Sequence, residues 1–424
     1  NRTLFATELI KSGKYNFEAP PNKGGYPEYG KFNDTLTKRI QTNRVSGRPP
    51  LMRVHVGPYN PDYREAKKEF KSWLKELTVN GFLDIVSIGS SQLSQSNFGE
   101  DWGNKPNGGG VPINSKKDLY EIWSASRPML IRTYAGTRNI PEMARVYEEA
   151  INIAWHALSF WWFNKIDGRG PNTVKDNLTE HLEVLKFIAK TNKPFEPNIP
   201  HHFAFRGADD YSYVLSSYLA AITAKRLGVK YIILQTMLNT PKYTWGVQDL
   251  AKARALLLLV KELEDKNFRV FIQPRAGLDY FSPDLDKAKV QLASVSALMD
   301  DIDIENNYNP DIIHVVSYCE AVKLATPDYI NESIQITLHS ILEYRKQKKL
   351  GNIETVSQND EVNERVSDIY YEVKNIKEVL ESRIDNPYSP EWLYKVFLHG
   401  VMPVPYLWEG RGEFKEAVKW KTNL

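Results

Sequence analysis

The sequence of 424 residues holds a single cysteine, Cys319. One thiol closes no internal disulfide and builds no cysteine-based zinc site, which excludes disulfide scaffolds and zinc ribbons and suits a reducing cytoplasm. An excess of one charge is also missing: 55 Lys and Arg stand against 52 Asp and Glu, a net of +3 with no long block of either sign. That balance disfavours nucleic acid and anionic membrane surfaces as partners. Long apolar runs are absent, since a stretch such as Ala255 to Val260 falls far short of the roughly 20 residues that span a membrane. No basic-plus-apolar leader opens the chain, which begins at Asn1 and so leaves room for a preceding segment. A Gly-x-Gly-x-x-Gly fingerprint is lacking too; the glycines at 108–110 follow no strand and read as a flexible loop. Aromatic side chains, by contrast, are abundant at 12%, with ten Trp and 23 Tyr. Rings in that number need a large core or a deep pocket to cover them.

Length alone suggests two or three domains at about 150 residues each. Residues 1–50 are punctuated by Pro20, Pro21, Gly24, Gly25, Pro27, Gly30, Gly47, Pro49 and Pro50, and read as a surface arm without regular structure. Beyond it, short apolar runs alternate with helical patterns, the signature of βαβ units. The runs are Leu51–Val56, Asp84–Gly89, Met129–Tyr134, Ile153–Trp161, Asn198–Phe205, Val229–Met237, Arg269–Pro274 and Ile312–Tyr318. Helical patterns follow each, clearest from Trp245 to Lys266, where Val247, Leu250, Ala253, Leu257, Val260 and Leu263 recur at three- and four-residue spacing. Eight such pairs predict an α/β fold of the (β/α)8 TIM-barrel type, about 250 residues in its usual size, here over 51–349. A polar, glycine-rich insertion at 90–115 reads as a lid or binding loop. Residues 350–424 read as a C-terminal helical and irregular extension ending in an aromatic strip at 402–408.

Catalytic groups of this fold sit where strands run into the following loops. Those positions hold His55 and Gly57, Ser90 and Gln92, Arg132 and Tyr134, Ser159 to Trp162, His201, His202 and Arg206, Gln235 and Asn239, Gln273 and Arg275, and Ser317 with Glu320. Polar loop starts are common in any globular chain, so each position alone says little. Arg132, Arg206 and Arg275 say more: converging guanidiniums bind carboxylate or phosphate through paired planar hydrogen bonds and imply a small acidic substrate. For each arginine alone, a salt bridge to a neighbouring loop is the commoner role. His201 and His202, adjacent on a strand, would face opposite sides, so no metal centre is predicted. Five rings among Trp155, Phe160, Trp161, Trp162 and Phe163 exceed what one strand face buries, and some are expected to shield the barrel mouth from water.

Three stretches carry a resemblance to a known family. They are Pro128 to Thr137 with Arg132, Val270 to Gly277 with Phe281 to Asp284 beyond it, and Asp311 to Ala321 followed by Ala325 to Pro327 and Asn331-Glu332. In this order they resemble the catalytic subunit of the adenosylcobalamin-dependent carbon-skeleton mutases, the large chain of glutamate mutase in particular, over about residues 128 to 348. The resemblance implies an isomerase of the radical mutase type acting on a small acidic substrate, with adenosylcobalamin as cofactor. It places Arg132 on a residue gripping the substrate carboxylate and Glu320 near the cofactor ribose. On this reading Arg206, Arg275, Tyr134 and Trp161 complete substrate binding, Gln235, Asn239 and Gln273 join Glu320 at the cofactor, and His202 with Glu320 serves as the catalytic pair. Val316 stands where the family has a lysine, and Phe160 where a tyrosine is expected. The Asp-x-His-x-x-Gly loop that supplies the lower cobalt ligand is absent, so the corrinoid is expected on a separate small subunit in a hetero-oligomer. Two alternatives remain: a metal-assisted or cofactor-independent lyase or aldolase using His55, His202 or Glu320 as acid and base, and a non-catalytic assembly subunit docking through 402–408.

Overall fold

A computed structural model describes residues 2–241, 244–303, 305, 310–353 and 359–419. Eight parallel strands form one sheet: β1 (Leu51–Val56), β2 (Ile85–Ile88), β3 (Leu130–Thr133), β4 (His156–Leu158), β5 (Phe195–Pro197), β6 (Tyr231–Leu238), β7 (Arg269–Ala276) and β8 (Ile312–His314). Their order is β3-β2-β1-β8-β7-β6-β5-β4. The two end strands meet where the Ala154 amide, just before β4, donates to the Ile131 carbonyl of β3 at 2.7 Å. Helices alternate with the strands, so the chain is a (β/α)8 TIM barrel,.

Strand side chains alternate between barrel interior and helix layer, and the interior is split into two storeys. At its lower, N-terminal end Leu51, Ile85, Leu130, Trp155, Ile233, Phe271 and Ile312 form an apolar floor separate from the core under the helices. Two residues further along several of the same strands the inward positions turn polar: Arg53, Ser87, Arg132, Gln235, Gln273 and His314, all buried. The ladder sets them side by side, with Ser87 beside Arg132 and Gln235 beside Gln273.

The arm at 1–50 is more ordered than its turn residues predict. It holds helices Arg2–Ser12 and Leu36–Ser46, the second ended by Gly47 in the left-handed conformation at φ 64°. Leu36, Ile40 and Tyr26 pack onto the apolar floor and close the barrel from below. Arg44 pins the plug by bonding Asp311 at 2.7 and 2.8 Å, just before β8.

Strand five also departs from expectation. The run Asn198–Phe205 is no strand; pairing falls on Phe195–Pro197, and Pro200–Ala204 forms a short helix beginning at a proline, a residue suited to the first helical turn. The fourth strand shrinks from the predicted Ile153–Trp161 to His156–Leu158, because Phe160 and Phe163 take positive φ of 50° and 64° and turn the chain away.

Beyond the barrel, helix Asp360–Arg383 lies against Asp210–Arg226 and Gly246–Lys261. That cover explains why Asp210–Arg226 is buried on nearly every side, a pattern that needs neighbours all round. Helix Pro390–Leu398 packs on Val174–Ile188, and the tail crosses the upper face, where the Tyr406 amide donates to the Arg206 carbonyl at 3.0 Å. The strip at 402–408 therefore covers the loops after β4 and β5, with Met402, Val404 and Leu407 buried.

Candidate functional site at the barrel mouth

The polar storey is an ionic cluster. Arg53 donates to Gln273 Oε1 at 3.0 Å and to Ser87 Oγ at 3.3 Å, and Arg132 reaches the same hydroxyl at 3.4 Å. Between the two guanidiniums stands Glu196 of β5, at 3.5 Å from Arg53 and 3.6 Å from Arg132. The Trp155 indole N–H donates to the same carboxylate. All three charged side chains are within 1% of complete burial. Burial works against the Glu196 anion, but Arg53, Arg132 and the Trp155 bond outweigh it and hold the carboxyl below its usual range,. Burial brings Arg53 down to about 9, which still leaves it charged at neutral pH.

Arg275 lies one turn of the ladder above, opposite His314 across the β7–β8 pair. Among the described residues its one side-chain hydrogen bond is to the Ala276 carbonyl at 3.2 Å. Glu196 and Glu320 both act on it electrostatically, as does Arg132 with the opposite sign. Burial raises the Glu320 carboxyl, against the pull of the Ser317 amide and Arg275, and within the storey itself Glu196 is the carboxylate that the guanidiniums share. Several donors in this storey also lack a partner among the described residues, including Gln273 Nε2, Arg53 Nε and Arg132 Nε. Buried polar groups are nearly always satisfied, and an anion entering from above would meet this surplus of donors.

Above the cluster opens a cavity of about 620 Å³, walled by His55, Gly57, Gly89, Gly110 and Glu320 among others. It lies at the C-terminal ends of β1, β2 and β8. His55 stacks on Tyr134 at 5.5 Å and abuts His314 at 4.9 Å, while the Tyr134 ring also covers the Arg132 guanidinium at 5.0 Å. Burial, reinforced by the arginines, holds His55 and His314 well below their ordinary values, so both are neutral at pH 7. The insertion at 90–115 borders the cavity but is folded. It includes helix Gln92–Ser96, and the Val111 amide donates to the Gly89 carbonyl at 2.7 Å. Gly110 makes that pinning possible: at φ +78° an added Cβ would come within 2.6 Å of the Gly89 oxygen.

The expected site residues divide into two groups. Arg132, Arg275, Tyr134, Gln273, Gln235 and Glu320 share the polar storey or the cavity above it. Gln235 does so through weak contacts of 3.4 Å to Asn198 and to His201 Nδ1.

Arg206, Trp161, His202 and Asn239 sit elsewhere. Arg206 does not converge with the other arginines; it lies 4.2 Å over the Trp162 ring, bonds the His202 carbonyl at 2.9 Å and faces Asp167 at 3.7 Å. Trp161 is fully buried beneath helix Pro390–Leu398 and donates to the Leu393 carbonyl at 3.0 Å, so it walls the core and not the mouth. His201 and His202 do not face opposite ways, because a helix carries them with rings 4.2 Å apart. Phe163 and Trp162 enclose His202, and burial beside His201 lowers its basicity strongly. Asn239 takes φ 57° at the exit of β6, where its amide is held by Asp249 at 2.7 Å.

Arg53, Glu196 and Ser87 escape the sequence reading, and Trp155, expected only as one ring of the aromatic run, lies in the floor with its indole on Glu196. Arg53 and His55 alternate inside an otherwise apolar β1, a period-two polar signal that a search of loop starts passes over.

No protein-family model matches this chain, and no curated protein does. Among solved structures it is similar to the spore coat polysaccharide biosynthesis protein SpsE of Bacillus subtilis, at 10% identity and a TM-score of 0.40, over 73% of this chain and 72% of that one. The barrel assignment rests on the strand order itself. No group of three or more His, Cys, Asp or Glu among the described residues is arranged to hold a metal ion. No helix among them is long and apolar enough to cross a membrane.

Proposed function

We propose that the chain is the substrate-binding barrel of an enzyme acting on a small acidic molecule, of the glutamate mutase-like radical isomerase type, completed by a cobalamin-carrying partner. The observation that carries the acidic substrate is the guanidinium surplus: Arg53, Arg132 and Arg275 face one ionised carboxylate, Glu196, in the polar storey. Arg275, bonded among the described residues to the Ala276 carbonyl, is the anchor for the incoming anion, and Arg132 with Arg53 sets the positive field beneath it,.

The residues at the mouth fit an adenosyl group entering from outside. Glu320 borders a cavity of about 620 Å³ whose glycine-lined wall leaves backbone exposed. At the cavity wall Tyr59, Val322 and Leu324 are exposed apolar residues that a cobalamin-carrying partner would meet. The bound group would supply the hydrogen-abstracting radical. This chain's part is to bind the acid at Arg275, to orient it against Tyr134 and His55, and to keep water out with the pinned 90–115 segment. Glu320, whose carboxyl burial raises, offers a polar group towards a sugar hydroxyl.

One observation supports a second reading, an acid–base lyase. His55, held well below its ordinary value, and Glu320, whose carboxyl burial raises, border the same cavity, an arrangement that could take and return a proton,.

Calorimetric titration with small dicarboxylates tests the binding half: affinity should fall about 10- to 100-fold in Arg275→Met, the scale of one charged hydrogen-bonding group, and unchanged affinity would refute the anchor. Electron paramagnetic resonance of the chain with adenosylcobalamin, a corrinoid-binding partner and the same acids tests the chemistry. Organic-radical and cobalt(II) signals are expected. Silence from a verified complex, with substrate turnover that survives without cobalamin, would favour the lyase.

A further inference from the structure

A second buried ionic group lies behind the mouth, on the outer side of β6, and the binding scheme above makes no use of it. Helix Gly246–Lys261 carries Asp249 and Lys252, both almost fully buried at 0% and 2% exposure. Asp249 Oδ2 accepts the Asn239 amide at 2.7 Å, and Lys252 Nζ donates to the Thr240 carbonyl at 3.0 Å. Both residues at the exit of β6 are therefore held by side chains from one helix. The same lysine faces Asp249 at 3.6 Å, Asp210 at 3.7 Å and the Tyr213 ring at 4.7 Å. Tyr213 returns to the strand by accepting the Met237 amide at 2.8 Å.

The β6 exit in turn fixes β7. Met237 pairs with Arg275, and the Gly277 amide donates to the Leu238 carbonyl at 2.8 Å. Any Cβ at Gly277 would meet Thr240 Oγ1 at 2.4 Å and the Asn239 carbonyl at 3.0 Å. The backbone that carries Arg275 thus rests directly on Asn239 and Thr240. In the other direction, Asp210 is shared with Arg365 of helix Asp360–Arg383 at 2.8 Å.

We propose that Lys252 and Asp249 are positioning residues for the Arg275 anion anchor, and that the C-terminal helix belongs to the same support through the relay Arg365–Asp210–Lys252–Asp249. It rests on the reading that Arg275 receives an acidic substrate. The physical ground is that Lys252 is a buried cation surrounded by two carboxylates, a carbonyl and a ring. Removing it strips Asp249 of its cation and drives the buried carboxyl towards its protonated form, a weaker acceptor for the Asn239 amide,. Asp249 then turns from its present direction, and the left-handed Asn239, at φ 57°, loses the contact that holds it,. Burial pushes the Asp249 carboxyl up to about 7, and Lys252 and the Asn239 amide act against that rise. Asp210 and the hydroxyls of Tyr213 and Tyr280 are the other titratable groups that act on it.

The test uses the full chain with succinate as probe, followed by calorimetry, together with hydrogen exchange of the Asn239 amide. Lys252→Met and Arg365→Ala should weaken succinate about two- to thirtyfold, the usual range for residues that modulate a site through a network. Asn239 exchange should quicken in both, while Lys252→Arg restores most of the affinity. Arg365 is 40% exposed in its side chain, so its variant decides the matter where Lys252→Met fails to fold. Wild-type affinity and exchange in folded Arg365→Ala would overturn the proposal. If wild-type protein does not bind succinate, the acidic-substrate reading fails on its own. Exchange at Asn239 then still judges the relay, faster exchange in Arg365→Ala supporting it and unchanged exchange refuting it.

Discussion

Replacing Glu196 by Gln is the sharpest single perturbation of the barrel interior. Glutamine keeps the shape and an acceptor for the Trp155 indole, but removes the one firmly ionised carboxylate between Arg53 and Arg132. Breaking a buried ion pair from one side costs about 3–5 kcal/mol. The ion-pair distances here are long, at 3.5 and 3.6 Å, and the neutral acceptor survives, so the lower end, about 3 kcal/mol, is expected. Extrapolating from smaller domains to this size, 1 kcal/mol moves Tm by about 1–2 °C, which gives a drop of about 3–6 °C. The sign with pH follows from the depressed carboxyl. Its stabilisation is fully present above the unfolded value near 4.3 and is lost as pH falls through the lower folded value. The gap between wild type and variant should therefore be constant from pH 6 to 8 and close in acid. A phosphate or succinate titration adds the decisive arm, since ligand at about 100 times its Kd restores about 2.7 kcal/mol. The variant, with an unpaired guanidinium pair, should gain more from the anion than wild type does. A Tm within about 1 °C of wild type, or equal gains from anion in both proteins, would refute the account of the storey as a cation surplus held by Glu196.

Three further outcomes are expected. Arg206→Ala should lose about 1–2 kcal/mol in denaturant unfolding, from the Trp162 stack and the partly exposed Asp167 pair,, while leaving calorimetric anion affinity unchanged; a loss of affinity would return Arg206 to the site. Asp84, whose carboxyl burial lifts to about 6 against the Met52 amide, Arg39 and Asn22, holds its proton more tightly folded than unfolded. Wild-type stability should consequently fall between about pH 4 and 6 relative to Asp84→Asn in paired urea titrations, and parallel curves would contradict the assignment. Gly110→Ala, at φ +78° with a Cβ 2.6 Å from the Gly89 oxygen, should cost about 1–3 kcal/mol. It should also open residues 90–115 to limited proteolysis; unchanged cleavage would show that the segment is held elsewhere.

The eight-fold alternation was legible because strong helical periods separated the apolar runs, and six of the named site residues lie in the polar storey or on the cavity above it. Strand five was not legible: Phe195–Pro197 is three residues long and ends in proline, too short to show a period. The apolar Asn198–Phe205 run beside it drew the assignment, and Glu196 was lost with it. Arg206 and Trp161 were misplaced for another reason. Their partners, Trp162 with Asp167 and Leu393, are set by tertiary packing of the β4 loop and the C-terminal helix, which no local spacing reports. Helix Leu36–Ser46 was hidden by the turn residues on both sides of it, while its reason to exist, the exposed floor of a barrel, lies later in the chain.

In this barrel the buried charges are written on the strands, with Tyr134 and Glu320 in the loops just beyond them. Along β1 a step of two residues leads from Leu51, which serves cohesion, to Arg53, which serves charge, and a further step leads to His55 at the cavity. β3 repeats the sequence as Leu130, Arg132 and, just past its end, Tyr134, and β7 as Phe271, Gln273 and Arg275. A new chemistry can therefore be selected by exchanging residues at fixed heights while the floor and the arm beneath it go on specifying the same fold.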